Sequence, residues 1–294
     1  MKATVPGRLV HRAAVAETLI TGRRRVGADR FALSVQWPHV HPVYVYVSPG
    51  RTAYEPLLVA ETVRRCGALL AHAEYGVPLD GRFVLHGLRV AVPRPGHLAV
   101  EAAPALPAAP VVGVTVTPRR HRGGRPDALT CAADVRLGGE RVATVHLDVS
   151  WTRESVYRRL RGGRTAGAVP VAPLPPALPP AAVGRALPAD VALAPPGPAG
   201  RLRLRVDTAH PVFFDHPLDH VPGMLLLEAA GQAARVCTAG RRSPVSFHAS
   251  FRRYAELDRP VRVEVCDDGR TVLQVRALQG ESTVFECAVE VAEP

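Results

Sequence analysis

The feature that most restricts the fold of this 294-residue chain is an internal repeat, in which the same motifs occur twice in the same order. The segment "VHRAAVAETLI" precedes "HPVYV" and a long apolar stretch, and "VGRALPADVAL" precedes "HPVFF" and a second apolar stretch. The matched residues are Arg12 with Arg185, His41 with His210, and Glu61 with Glu228. They lie 173, 169 and 167 positions apart, so the order is kept while the spacing drifts. This ordered self-similarity predicts two copies of one structural unit.

Each copy contains one long helical stretch followed by several strand-like segments. The helices are expected from Pro56 to Gly76 and from Pro222 to Gly240, because proline is favoured in the first turn and glycine ends a helix. Alternating apolar residues predict the strands, which are "FVLHGLRVAV", "HLAVEA", "VVGVTVTP", "TCAADVRL", "VATVHLDVSW", "SFHASFRRYA", "VRVEVC", "TVLQVRAL" and "TVFECAVEVA". We therefore predict an α+β fold with two antiparallel sheets, each wrapped around one helix.

A stretch rich in proline, alanine and glycine separates the two copies. Its sequence, "RGGRTAGAVPVAPLPPALPPAA", has no period and is typical of a stiff, extended linker. We predict an N-terminal domain over residues 1–160, a linker over 161–182 and a C-terminal domain over 183–294.

Charge narrows the class of ligands. The net charge is +11, and because Lys2 is the only lysine, arginine carries almost all of the positive charge. This excludes Schiff-base lysine chemistry and favours ligands with phosphate or carboxylate groups. Aromatic residues make up only 5% of the chain, and no helix-turn-helix or finger spacing occurs, so we do not expect a nucleic-acid partner.

Cysteine usage and hydropathy bear on the compartment. The five cysteines lie far apart and include no Cys-x-x-Cys pair, which favours neither a metal site nor a disulfide framework and fits a reducing cytoplasm. We find no window that approaches the roughly 20 apolar residues needed to span a bilayer, and no signal-peptide core at the N-terminus. A membrane partner is therefore not expected.

The stretch "FFDHPLDHVPGMLLLEAAGQAA", residues 213–234, concentrates the candidate catalytic side chains. His216 and His220 precede a Pro-Gly step and a helix that carries Glu228. His216 could simply support the turn before that helix, and Glu228 could face solvent. However, the helix around Glu228 is otherwise apolar, and a buried carboxylate needs a partner or a raised pKa, so Glu228 is a site candidate.

The same stretch resembles the segment of hotdog-fold dehydratases in which Phe-Phe, a His-Pro loop and Pro-Gly lead into the central helix with its acidic residue. Over nearly the whole chain the sequence resembles the A-factor biosynthesis family. The segments that carry this resemblance are "VHR" at Val10, "QWP" at Gln36, "PLLVAET" at Pro56, "HAEYGVPL" at His72 and "FRRYAELDRPV" at Phe251. The resemblance implies a tandem double hotdog fold, in which two domains pair within the chain.

The resemblance also implies an activity. The family transfers a β-ketoacyl group from an acyl carrier protein, or from CoA, to a hydroxyl of dihydroxyacetone phosphate, on the route to γ-butyrolactone-type signalling molecules that control secondary metabolism. The 4′-phosphopantetheine arrives with the acyl donor, and the reaction needs no metal or other cofactor. The alternative is a hotdog dehydratase or thioesterase that acts on carrier-bound acyl thioesters. A binding protein without catalysis is disfavoured, because both helix acids are present.

Hotdog domains generally pair the histidine loop of one domain with the helix of the other, so the resemblance places His216 opposite Glu61. The corresponding loop of the first copy, residues 44–56, contains no histidine. We expect His216 to take the hydroxyl proton while Glu61 orients it or relays the proton, and Glu228 to belong to the reciprocal site. The oxyanion is expected near the helix start at Gly223, where backbone N–H groups are free.

Arginines are the expected ligands of the acceptor phosphate. The candidates are Arg64 and Arg65, just after Glu61, and Arg252 and Arg253 in "SFRRYAELD". Gln232 is a further substrate-binding candidate. It lies four residues after Glu228, where the first copy has Arg65, so dehydratase chemistry does not transfer automatically.

A second basic segment, "TPRRHRGGRPD", could meet an acidic carrier protein or could be a solvated hairpin. Its arginines are Arg119, Arg120, Arg122 and Arg125.

Overall fold

The computed structural model describes residues 3–48, 51–100, 107–122, 125–197, 201–267, 269 and 271–293. Within them the α-helices are α1 (Pro56–Tyr75), α2 (Glu154–Leu160) and α3 (Gly223–Cys237). The strands that precede α2 are β1 (Ile20–Gly27), β2 (Arg30–Val35), β3 (Val45–Ser48), β4 (Arg51–Tyr54), β5 (Arg82–Ala91), β6 (Val111–Arg122), β7 (Arg125–Leu137) and β8 (Glu140–Thr152). The later strands are β9 (Leu193–Ala194), β10 (Leu202–Leu204), β11 (Ser243–Phe251), β12 (Arg262–Cys266), β13 (Val272–Gln279) and β14 (Ser282–Ala292).

The chain divides into two compact units. Unit 1 comprises Met1–Val40 and Leu58–Gly163, and unit 2 comprises His41–Leu57 and Arg164–Pro294. The stretch predicted as the N-terminal domain, 1–160, thus includes one segment, His41–Leu57, that groups with unit 2. Residues 41–57 thus lie between two segments of unit 1 in the sequence but group with unit 2 in space.

Unit 1 is built on six antiparallel strands in the order β1-β2-β6-β7-β8-β5. The helix α1 is buried along most of its length, and it approaches the sheet closely at Gly67. A Cβ atom at Gly67 would lie 2.8 Å from Leu147 of β8, so glycine permits the helix to lie this close. The helix ends before Gly76, which has a φ of +66°, as the sequence predicts.

Unit 2 repeats this arrangement with the antiparallel order β11-β14-β13-β12-β10-β9. The helix α3 contacts β11, β12, β13 and β14, and its residues from Met224 to Arg235 are buried. The segment His41–Leu57 adds the hairpin β3-β4. One long helix against an antiparallel sheet in each unit confirms the predicted α+β class.

The strand predictions were incomplete in one respect and wrong in another. They placed strands only after each long helix, whereas β1 to β4 precede α1 and β9 and β10 precede α3. The predicted strand "HLAVEA" begins instead in a 3-10 helix, Pro95–Leu98, because Pro95 and Gly96 favour a turn. Its residues 101 and 102 lie outside the described part of the chain.

The Pro/Ala-rich stretch predicted as a linker is hydrogen-bonded to unit 2. The amide of Ala172 donates to the carbonyl of Leu257 at 2.8 Å, and the amide of Leu178 donates to that of Leu193 at 3.0 Å. Arg164 also pairs with Asp258 at 2.9 Å. Most of this stretch therefore lies along unit 2 as an ordered, irregular segment.

Matched local geometry supports the internal repeat. The 3-10 helices Gly7–Leu9 and Val15–Glu17 have counterparts at Pro180–Val183 and Pro188–Asp190. In both His-Pro motifs the Nδ1 atom of the histidine accepts hydrogen bonds from the amides two and three residues later. The distances are 3.2 and 3.1 Å for His41, and 3.2 and 3.4 Å for His210. The repeated sequence thus forms the same turn twice.

Candidate active site

The loop before α3 holds His216 against a buried carboxylate. Nδ1 of His216 lies 2.6 Å from Oδ1 of Asp215. The Asp215 side chain is only 2% exposed, whereas the His216 side chain is 44% exposed. An ionised carboxylate can only accept, so Nδ1 of His216 carries the hydrogen and the lone pair of the neutral ring lies on Nε2. His216 therefore presents a basic nitrogen while its other nitrogen is fixed.

A second pair of the same kind lies four residues further along. Nδ1 of His220 is 2.7 Å from Oδ1 of Asp219. The His220 ring packs edge-on against the Tyr254 ring, with the centroids 4.7 Å apart, and it is less exposed than His216. The sequence signal for both pairs is an aspartate directly before each histidine, although no His–Asp pair was predicted from it.

The start of α3 follows this loop directly. Gly223 is the first residue of the helix, and it is preceded by Pro222, whose side chain has no polar atom that could cap the helix. The amides of Leu225 and Leu226 bond to the carbonyl of Pro222. The amides at the very start of a helix have no acceptor within it. Backbone N–H donors are therefore available for an oxyanion at the expected position, Gly223.

Glu228 of α3 is buried in an ionic and hydrogen-bonded cluster. Its carboxylate, 3% exposed, lies 2.6 Å from Nη2 of Arg185. The side-chain amide of Gln232 donates to Glu228 at 2.5 Å and to the carbonyl of Asp190 at 2.9 Å, and its oxygen accepts from the amide of Ala192 at 2.8 Å. Both hydrogens of the Gln232 amide are thus donated within the unit.

A further carboxylate, Glu55, joins the unit 2 cluster. Arg235 donates to Glu55 at 2.8 Å, and Arg185 lies 3.4 Å from it. Burial favours the neutral form of Arg185, but the carboxylates of Glu228 and Glu55 outweigh it and raise the pKa of Arg185. Two carboxylates and two guanidinium groups therefore face one another inside unit 2. Glu55 was not predicted as a site residue, because nothing in its immediate sequence indicates such distant partners.

Glu61 of α1 lies at the matched place in unit 1 and is fully buried. Arg64 binds both of its oxygens at 2.7 Å, Arg65 donates to it at 3.0 Å, and Arg12 forms a close ion pair with it. Burial raises the pKa of Glu61, but the positive charges of Arg64, Arg12 and Arg65 outweigh this effect and hold it well below its usual value. Nη2 of Arg65 also binds Glu17 at 2.9 Å.

The two helix acids are consequently neither solvent-facing nor unpaired. Arg12 and Arg185, which the repeat matches, bind the matched acids Glu61 and Glu228. An ionised carboxylate bound to guanidinium groups is a weak base, so Glu61 is better suited to hold arginines in place than to carry protons. His216 belongs to unit 2 and Glu61 to unit 1, and their expected pairing stays a prediction.

Two of the remaining arginine candidates form exposed ion pairs with other carboxylates. Arg252 forms an exposed ion pair with Glu286 at 2.9 Å, and Arg253 is exposed. Arg119 pairs with Asp148 at 3.1 Å on the surface of unit 1. The other three arginines of the basic segment, Arg120, Arg122 and Arg125, have side chains outside the described part of the structure.

Neither a metal cluster nor a membrane-spanning helix is found in the part of the chain that the structure describes. No group of three His, Cys, Asp or Glu side chains there is arranged to hold a metal ion. No helix among the described residues is long and apolar enough to cross a bilayer. The five cysteines are free thiols.

Comparison with solved structures relates the fold to known hotdog proteins. The chain is similar to the 12:0-ACP thioesterase from Umbellularia californica, with a TM-score of 0.52 and 14% identity, over 92% of this chain and 100% of the other. It is also similar to an acyl-ACP thioesterase from Bacteroides thetaiotaomicron, with a TM-score of 0.53 and 12% identity, over 90% and 98% of the two chains. At these identities the likeness concerns the fold alone.

Comparison with known sequences identifies relatives of much higher sequence identity. A protein from Streptomyces virginiae is 43% identical over 98% of both chains, and one from Streptomyces coelicolor is 38% identical over 96% of this chain and 89% of its own. Both are named 2-oxo-3-(phosphooxy)propyl 3-oxoalkanoate synthase. The model of the A-factor biosynthesis hotdog domain matches residues 1–153 and 167–285. The chain therefore belongs to the A-factor biosynthesis hotdog family.

Proposed function

We propose that this chain is an acyltransferase that moves a 3-oxoacyl group from a thioester to a hydroxyl of dihydroxyacetone phosphate. The name shared by its relatives describes an ester in which the alcohol part is 2-oxo-3-(phosphooxy)propyl, the residue of dihydroxyacetone phosphate. The observation that carries the chemistry is the accessible imidazole of His216, held by the buried carboxylate of Asp215.

In this proposal His216 acts as the general base. Its Nε2 takes the proton of the acceptor hydroxyl while the hydroxyl oxygen forms a bond to the thioester carbonyl carbon. The negative charge of Asp215 stabilises the imidazolium that results. When the tetrahedral intermediate collapses, the carbon–sulfur bond breaks, the proton passes from His216 to the departing sulfur, and the products are an ester and a free thiol.

The oxyanion of the intermediate is assigned to the start of α3. The amide of Gly223 belongs to the first turn of that helix, where the helix dipole favours negative charge. Gln232 fits a positioning role better than a substrate contact, because its amide already binds Glu228, Asp190 and Ala192. It joins α3 to the segment that precedes β9.

The donor and the location follow from the same proposal. An acyl carrier protein or CoA would bring the acyl group on its 4′-phosphopantetheine arm, and the net charge of +11 suits an acidic carrier protein or the phosphates of CoA. Free cysteines suit a reducing cytoplasm. The ester would serve as a precursor of γ-butyrolactone-type signalling molecules, in keeping with the A-factor biosynthesis family.

A product assay tests the proposal against the thioesterase and dehydratase alternatives. The protein is incubated with a 3-oxoacyl thioester, with and without dihydroxyacetone phosphate, and both thiol release and phosphorylated ester are measured. We expect thiol release to depend on the acceptor and to match ester formation mole for mole. Thiol release at the same rate without the acceptor would instead indicate hydrolysis. In a parallel incubation with a 3-hydroxyacyl thioester, loss of water to give an enoyl thioester would indicate a dehydratase.

A further inference from the structure

Arg64 binds Glu61 through one edge of its guanidinium group, and its other N–H groups have no acceptor among the residues that the structure describes. Its Nε and Nη2 atoms donate to the two oxygens of Glu61, both at 2.7 Å. A guanidinium group has five N–H donors in a planar fork, so three N–H groups of Arg64 remain beyond this bidentate contact. The side chain is 23% exposed, whereas Glu61 and Arg65 are fully buried. Arg64 is thus the partly exposed arginine of the Glu61 cluster, and a ligand at the surface of the protein can contact it.

The neighbouring Arg65 has donors to spare as well. It binds Glu61 through Nε and Glu17 through Nη2, while its Nη1 atom is buried and has no hydrogen-bond acceptor among the described residues. Buried donors without an acceptor are uncommon, and each one requires an explanation such as a ligand or a water molecule. Two adjacent arginines on α1 therefore offer more donors than Glu61 and Glu17 accept from them.

The matched cluster of unit 2 shows that this surplus does not follow from the fold. There the position of Arg65 is taken by Gln232, which is neutral and whose amide hydrogens are both donated. The cations Arg185 and Arg235 face the two carboxylates Glu228 and Glu55. The buried side-chain nitrogens of Arg185, Arg235 and Gln232 all have partners within the described residues. Of the two matched clusters, that of unit 1 therefore has more guanidinium groups for the same number of carboxylates.

We propose that Arg64, supported by the buried charge of Arg65, binds the phosphate group of the acceptor, an inference that rests on the proposed function. A guanidinium fork held in place by a carboxylate is preorganised for a second bidentate contact, and phosphate oxygens match its geometry. Glu61 then serves as the positioning residue that orients Arg64. This role agrees with its lowered pKa, which keeps Glu61 ionised when substrate binds.

Steady-state kinetics of Arg64→Gln test this assignment. We expect the KM for dihydroxyacetone phosphate to rise about 10- to 100-fold with a smaller change in kcat, while the KM for the acyl donor is unchanged. The variant should also lose the preference for dihydroxyacetone phosphate over unphosphorylated dihydroxyacetone. Arg64→Lys, which keeps the charge but not the fork, should give an intermediate KM and guards against a folding defect of the glutamine variant.

The matched control is Arg23→Gln. Arg23 is also a partly exposed arginine of unit 1 that binds a carboxylate of α1, Glu74, at 2.9 Å. We expect this variant to keep the wild-type KM for both substrates. If Arg64→Gln is folded and keeps the acceptor KM, or if it raises only the donor KM, the acceptor-phosphate assignment is wrong.

A binding measurement separates this inference from the proposed reaction. Inorganic phosphate is titrated calorimetrically into wild-type protein, Arg64→Gln and Arg23→Gln. We expect one site per chain in the wild type and in Arg23→Gln, and a weakening of about 10-fold or more in Arg64→Gln. Should the wild type bind phosphate in this way but transfer no acyl group to the acceptor, the site would stand while the proposed function would fail. Equal phosphate binding by all three proteins would overturn the site.

Discussion

The two copies of the repeat keep the same helix acid but surround it differently. Glu61 in unit 1 and Glu228 in unit 2 are both buried, and both bind the matched arginine, Arg12 or Arg185. Four residues further along the helix, however, unit 1 has Arg65 and unit 2 has Gln232. Among the described residues, Glu61 is therefore bound by arginines alone, whereas Glu228 is bound by an arginine and by a side-chain amide.

This difference extends to the 3-10 helices that precede each sheet. Arg65 reaches the carboxylate of Glu17, whereas Gln232 reaches the backbone of Asp190, the matched residue. In unit 2 the Asp190 carboxylate lies instead 3.4 Å from Nε2 of His210. Both units thus tie the long helix to the same preceding turn. An ion pair makes this connection in unit 1, whereas a neutral amide makes it in unit 2. The connection therefore does not require an arginine, and the additional arginine charge of unit 1 can serve a second role.

The largest expected effect concerns the histidine loop, which the first copy lacks. We expect His216→Ala to lower kcat by about 10²- to 10⁴-fold, because the general base is lost while the fold is not. The matched control is His220→Ala, which removes the more sheltered histidine of the same loop and should cost less than about 10-fold. The measurement is acceptor-dependent ester formation, with circular dichroism to verify folding. Near wild-type transfer by a folded His216→Ala protein would rule out this base.

Stability should separate the two helix acids. Glu61→Ala removes the carboxylate that Arg12, Arg64 and Arg65 share, although Arg65 keeps Glu17, and should lower the free energy of unfolding by about 3–5 kcal/mol. Glu228→Ala should cost less, about 1.5–3 kcal/mol, because among the described residues Glu228 binds one guanidinium group, that of Arg185, which keeps Glu55 as a partner. Urea denaturation of both variants checks this order. Equal losses would show that the number of guanidinium groups bound to the acid does not set its contribution to stability.

The pH dependence of stability should report on Glu61. Its pKa in the folded state lies well below the ordinary value of 4.5, so the ionised form stabilises the protein above pH 4.5. This contribution should disappear as the pH falls from about 4.5 through the folded pKa. We expect the difference in unfolding free energy between wild type and Glu61→Gln to be constant near neutrality and to narrow in acid. A difference that stays constant down to the acid limit would contradict the lowered pKa.

The smallest effect is expected at the surface of unit 2. Arg252→Ala removes an exposed ion pair with Glu286 and should change the free energy of unfolding by less than about 1 kcal/mol. The same variant also tests which unit binds the acceptor phosphate, because Arg252 and Arg253 are the alternative candidates for its ligands. A rise of more than 10-fold in the acceptor KM of Arg252→Ala would move the phosphate site from unit 1 to unit 2.

Several elements could be predicted from local sequence. The helix α1 begins at Pro56 and ends directly before Gly76, as expected, since those residues act on the backbone regardless of distant contacts. The helix α3 begins directly after Pro222, also as expected, but it ends at Cys237, three residues before Gly240. Strand β1 was not predicted, because its sequence, ITGRRRVG, has three consecutive arginines where apolar residues would alternate. Strands β9 and β10 were not predicted, because they have only two and three residues. Periodicity cannot be read from so few positions.

The candidate site could likewise be predicted from the sequence only in part. The repeat matched Arg12 with Arg185 and Glu61 with Glu228, but it could not show that each arginine binds its own acid. Glu55 has no counterpart signal, and its partners Arg185 and Arg235 lie 130 and 180 residues away. Such contacts arise from the folded chain, and nothing in the neighbouring residues of Glu55 encodes them visibly.

The duplication, the helix-and-sheet class, the family resemblance and the histidine loop could therefore be inferred from the sequence, because periodicity, turn residues and the order of the repeated motifs can be read along the chain. Tertiary structure decided that both helix acids are buried among arginines, that Asp215 orients His216, and that the segment His41–Leu57 groups with unit 2. These features depend on burial and on the distance between charges. Both are set only when residues far apart in the sequence come together.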